Sequence, residues 1–92
     1  MEMYNPSHPG IVLKNLFLAD NNISEAELTL KTGIAREVVS KFLNGECSVT
    51  AEMALRLSKA FQTTPELWLD MQTQYDLWHA KQTVNLDDVQ AM

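Results

Sequence analysis

Residues Ser24 to Gly45 read SEAELTLKTGIAREVVSKFLNG, two short helical patterns that meet at Gly33. Apolar residues fall at Leu28, Ile34, Val39 and Phe42, where two such helices must pack together. Gly33 stands where the turn between them requires a left-handed backbone. That combination is the signature of a helix-turn-helix whose second helix does the reading. Working outward from it, capping signals and apolar period place five helices, and no segment shows the strict alternation of a half-buried strand. The expected fold is all-α.

The helix before the turn opens with a capping box. Ser24 can accept from the Glu27 N–H while the Glu27 carboxylate reaches back to the Ser24 N–H. The reading helix runs from about Arg36 to Asn44 and stops at Gly45, a natural C′ residue. Upstream, a first helix begins at Ser7-His8-Pro9, carries Ile11, Leu13, Leu16 and Phe17 as its apolar set, and ends near Asp20-Asn21-Asn22. Downstream, Thr50 caps a fourth helix that turns Met53, Ala54, Leu57 and Phe61 toward the core. Thr64-Pro65-Glu66 starts a fifth, which continues to about Gln82. Its stripe of Trp68, Met71, Tyr75 and Trp78 is larger than one small core normally accommodates. Such a stripe either lids the bundle or forms a dimer interface. Residues 1–82 then make a helix-turn-helix domain with a C-terminal dimerisation helix. Residues 83–92 are a tail that frays or orders against another chain, with Asn85 as a cap for a last turn carrying Leu86 and Val89.

On an ideal helix Glu37, Ser40, Lys41 and Asn44 occupy an arc of about 100°, with Val39, Phe42 and Leu43 on the opposite side. Arg36 projects from the first turn, the end that reaches base edges in the major groove of double-stranded DNA. Its guanidinium suits guanine O6 and N7 together, a contact worth about 1–3 kcal/mol of discrimination. Glu37 can accept from cytosine N4, and Val38 can meet a thymine methyl. Ser40, Lys41 and Asn44 are placed to contact phosphate and set register. The alternative for any such charged face is plain solvated surface. One module offers few contacts, so a homodimer reading two palindromic half-sites is expected.

Charge and size bound the function classes. Ninety-two residues with a net charge of −5 make one domain, able to bury only about 65% of its unfolded surface. Residues 1–30 carry −3 and residues 60–92 carry −4. Residues 31–59 are positive by two, with Lys31, Arg36, Lys41, Arg56 and Lys59 against Glu37, Glu46 and Glu52. A basic centre suits phosphate, and the acidic remainder suits a basic protein partner. No run approaches the roughly 20 apolar residues that span a bilayer, and Met1 to Gly10 does not read as a secretion signal, so no membrane partner and a cytoplasmic location are expected. The lone Cys47 lies among polar loop residues and reads as an inert thiol, with no metal or other cofactor expected. His8 reads as part of a helix start and His79 as a surface or interface group rather than as catalytic residues. Gly10, Gly33 and Gly45 read as helix ends or turns, no glycine-rich phosphate loop is present, and an enzyme is not expected.

The chain resembles the HigA/VapI-type antitoxins within the Xre-like helix-turn-helix proteins, over about His8 to Lys81. The resemblance rests on HPG at His8 to Gly10, SKFLNG at Ser40 to Gly45, TAEMALRLSKAF at Thr50 to Phe61 and TTPELWLDMQTQYDLW at Thr63 to Trp78. It implies a five-helix bundle with a lambda-repressor-like helix-turn-helix, homodimerisation, and repression of the chain's own operon through a promoter operator. It also implies neutralisation of a HigB-like toxin, a ribosome-dependent mRNA endonuclease. The sequence departs from the family pattern at Thr29, where a small alanine is usual, at Ala35, where a capping Ser or Thr is usual, and at Glu37 and Val38, which replace polar readers. A missing cap costs about 1 kcal/mol. A stand-alone transcriptional regulator without a toxin partner fits the same residues.

Overall fold

The computed structural model describes residues 5–92. The first four residues of the expected 1–82 unit lie outside the described residues. Among the described residues there are five helices and no strand: α1 (9–21), α2 (Glu25–Thr32), α3 (Arg36–Leu43), α4 (Ala51–Phe61) and α5 (Pro65–Thr83). No helix there is long and apolar enough to cross a membrane.

Three of the helix starts use hydroxyl caps. Ser24 Oγ accepts from Glu27 N–H at 3.1 Å, Thr50 Oγ1 from Met53 N–H at 3.2 Å and Thr64 Oγ1 from Leu67 N–H at 3.2 Å. Each satisfies a backbone donor that the first turn leaves without a helical partner. The Glu27 carboxylate of the expected capping box lies 3.9 Å from Lys31 Nζ. The α1 start is different, because His8 itself is the cap: its Nδ1 accepts from Gly10 N–H at 2.9 Å, and Pro9 occupies the first helical turn.

α1 is not regular. Pro9–Val12 is α-helical, Leu13–Leu18 is π-helical and Ala19–Asn21 returns to α, with the Ala19 N–H reaching the Lys14 carbonyl five residues back. The wider turn brings Leu13 and Leu18, five apart, onto the buried face. Leu16, expected in the apolar set, is turned outward and 60% exposed. Ile11 and Phe17 are half-buried.

The core joins Leu13 and Leu18 of α1 with Leu28, Ile34, Val39, Phe42, Leu43, Met53, Ala54, Leu57 and Trp68. Burying each large side chain among them stabilises the fold by about 1.5–3 kcal/mol. α2 packs on α3 and α4, α4 on α5, and α1 on α3 and α5. Gly10 is needed for the last of these arrangements rather than for a helix end: a Cβ there would collide with the Phe42 carbonyl. Close backbone approach of α1 to α3 therefore depends on the missing side chain. Gln72 Oε1 accepts from Val49 N–H at 2.9 Å and its Nε2 donates to Asp76 at 2.9 Å, tying the α3–α4 loop to α5.

Candidate nucleic-acid interface

Hydrogen bonds from three directions hold the α2–α3 turn. Gly33 adopts φ +73° and its N–H closes onto the Thr29 carbonyl at 3.0 Å. Thr32 Oγ1 donates to the Leu28 carbonyl at 2.7 Å and accepts from Ile34 N–H at 3.2 Å, so one hydroxyl spans the turn. The Thr32 carbonyl accepts from Arg56 Nη1 at 3.0 Å. Leu28, Ile34, Val39 and Phe42 are all buried, as the pattern required. α3 then begins at Ala35, whose backbone is extended and which makes no side-chain cap. It ends in a Schellman arrangement: Gly45 N–H bonds the Phe42 carbonyl at 3.0 Å and Glu46 N–H the Lys41 carbonyl at 2.8 Å, with Gly45 at φ +76°.

α3 thus leans on the core through Val39, Phe42 and Leu43 and presents Arg36, Glu37, Lys41 and Asn44 to solvent. Ser40 is half-buried. Val38 is half-buried too and packs against the core, lining a cleft with Ala35, Met53 and Arg56. The outward surface of α3 therefore has Arg36 at its first turn, Glu37 beside it and Lys41 one turn on. Of the five cations in the positive segment, Arg56 is occupied by Glu52 and Lys31 faces Glu27.

The stripe on α5 divides. Trp68 is 0% exposed, and its Nε1 donates to Thr63 Oγ1 at 2.8 Å, with Phe17 and Phe61 against its ring. It belongs to the core of the single chain and not to a dimer interface, because no part of it is left to meet a partner. Met71 packs on the core edge. Tyr75 and Trp78 are half-buried, and exposed His79 sits between them with ring centroids at 4.3 and 5.1 Å.

Three positions matter that the sequence reading undervalued. His8 Nε2 lies 2.9 Å from the Cys47 carbonyl, and its ring meets Phe42 and Tyr75 edge-on. Burial holds its pKa below the ordinary value, against the smaller opposing pulls of the Cys47 carbonyl and Asp76. Cys47 is half-buried against the core rather than loose in a polar loop, its Sγ donating weakly to the Val38 carbonyl at 3.8 Å. Burial also pushes its thiol pKa up, which keeps it protonated. At Thr29 the hydroxyl is buried without a hydrogen-bond partner among the described residues. The Thr32-Gly33 pair and the Glu52/Arg56 spacing were visible signals for the turn and its clamp.

The Helix-turn-helix family matches residues 13–68. Antitoxin HigA-1 of Vibrio cholerae is 37% identical over 76 residues, covering 83% of this chain and 71% of that one. An HTH-type transcriptional regulator of Haemophilus influenzae is 37% identical over 73 residues, covering 79% of this chain and 68% of that one. The structure of antitoxin GraA in complex with its operator matches with a TM-score of 0.88 at 39% identity, covering 95% of this chain and 91% of that one. The chain belongs to the Xre-like helix-turn-helix family, among the HigA/VapI-type antitoxins.

Proposed function

We propose that this chain is the antitoxin of a toxin–antitoxin pair, binding a HigB-like mRNA endonuclease and repressing its own operon as a homodimer on promoter DNA. The observation that carries the reading is the match, over nearly the whole of both chains, to an antitoxin seen on its operator. The exposed α3 face supports it: Arg36 reads bases, Lys41 and Asn44 contact phosphate, and Glu37 tunes base choice against affinity. Half-buried Val38 and Ser40 stand at the margin of that face. Dimerisation falls to the aromatic end of α5, where Met71, Tyr75 and Trp78 remain after Trp68 is assigned to the core. The acidic remainder of the surface complements a basic RNA-cutting partner. No residue is assigned a catalytic role.

The test is growth of cells expressing the neighbouring small reading frame with and without this protein, followed by co-purification of the two products. Relief of arrest together with a stable complex is the expected result. A harmless neighbour shifts the function to a stand-alone regulator on the same fold, the reading that the regulator among the relatives favours.

A further inference from the structure

Arg56 lies on α4, across a cleft from Ala35 and Val38, and the structure assigns it the positioning of the reading helix. The assignment rests on the proposed reading of DNA by α3. Its Nη1 donates to the carbonyl of Thr32, the last residue of α2, at 3.0 Å. Its Nε donates to Glu52 Oε2 at 3.1 Å, one turn back on its own helix. The guanidinium lies so close over the turn that a Cβ on Gly33 would stand 2.7 Å from Nη1. The turn is therefore held by three devices: the Thr32 hydroxyl, the Gly33 N–H and Arg56. The first two bond only within 28–34, so they shape the turn without fixing where it sits. Arg56 supplies a bond that reaches the turn from another helix.

The chemistry fits that task. The end of α2 leaves carbonyls without helical donors and carries the negative end of the helix dipole, which a cation satisfies on both counts. A guanidinium can serve Thr32 and Glu52 together because its donors are fixed in one plane, whereas an ammonium is a point charge on a flexible stem. The need is sharpened at Ala35, where α3 starts without a side-chain cap. With that local anchor missing, the core contacts of Val39, Phe42 and Leu43 fix the body of α3, while the aim of its first turn, where Arg36 projects, depends on the turn that Arg56 holds. A direct phosphate contact by Arg56 is the competing role, and its engagement with Glu52 argues against it.

Two variants of the full chain, Arg56→Met and Arg56→Lys, separate these roles through operator affinity at several salt concentrations and amide exchange of the free protein. Arg56→Met should keep its helix content, weaken operator binding about tenfold without changing the salt slope, and speed exchange over 33–37. Arg56→Lys should recover only part of the affinity and protection. A salt slope lowered by about one in Arg56→Met and restored in Arg56→Lys would make Arg56 a phosphate contact and overturn the assignment. Unchanged exchange over 33–37 in both variants would overturn it as well. Because exchange is read without DNA, a chain that fails to bind any operator sinks the DNA reading while leaving the clamp itself decided.

Discussion

Ala35 and His8 show how much single side chains decide at the two helix starts that lack a hydroxyl cap. Ala35 has the extended backbone of a capping residue and no group to cap with. Ala35→Ser should therefore raise unfolding stability by about 1 kcal/mol, read as an upward shift in Tm by circular dichroism. His8 does cap, but only as a neutral ring, since Nδ1 must accept from Gly10 while Nε2 donates to Cys47. Its folded pKa is lowered by burial, so the unfolded chain binds the proton more readily. Stability from this residue is therefore present above the unfolded value of about 6.5 and is lost as pH falls below it. Urea melts between pH 7.5 and pH 5.5 should show that loss in the wild type, and His8→Asn, which keeps an acceptor but cannot titrate, should reduce it. An equal loss in both would place the titration elsewhere. The helix-start role of His8 was legible from its place before Pro9. Its bond to Cys47 was not, because 39 residues separate the two.

The helices were legible in proportion to how local their signals are. Ser24, Thr50 and Thr64 announce their helices through hydroxyls three residues ahead of the donors they satisfy, and all three caps are present. Gly33 and Gly45 likewise declare the two left-handed positions that bracket α3. α1 resisted the same reading because its π-helical segment changes the period within six residues, turning Leu16 out and Leu18 in. A periodic template has no means of anticipating one inserted residue per turn. Gly10 was misjudged for a related reason, since its constraint comes from the Phe42 carbonyl of another helix. Gly10→Ala should push α1 off α3 and cost about 1–3 kcal/mol in thermal unfolding, although alanine is the better helix former. Unaltered or increased stability would show that the two helices separate freely.

The molecule extends 48 × 24 × 22 Å with a radius of gyration of 15.2 Å, against about 12 Å for a compact domain of this length. Nineteen-residue α5, about 28 Å long, and the tail beyond it account for an elongated shape. The tail carries the expected local turn, with Asn85 Oδ1 accepting from Asp87 N–H at 2.8 Å, yet Val84, Leu86 and Val89 are all exposed. Sequence pattern identified the α5 stripe but could not divide it, because which ring enters the core depends on Phe17 and Phe61 arriving from other helices. Trp78→Ala should weaken self-association in sedimentation without lowering helix content, and through it reduce operator binding; unchanged dimerisation would move the interface away from α5. The face of α3 was readable from spacing alone, whereas its aim depends on the turn and on α4. The most direct test of a reading helix is fluorescence anisotropy on the chain's own promoter DNA and on a scrambled duplex, at two salt concentrations. Wild type should prefer the promoter, Lys41→Glu should weaken binding to both duplexes with a shallower salt slope, and Arg36→Ala should chiefly erase the preference. Equal binding of both duplexes by the wild type, or variants indistinguishable from it, would contradict α3 as the DNA-reading element.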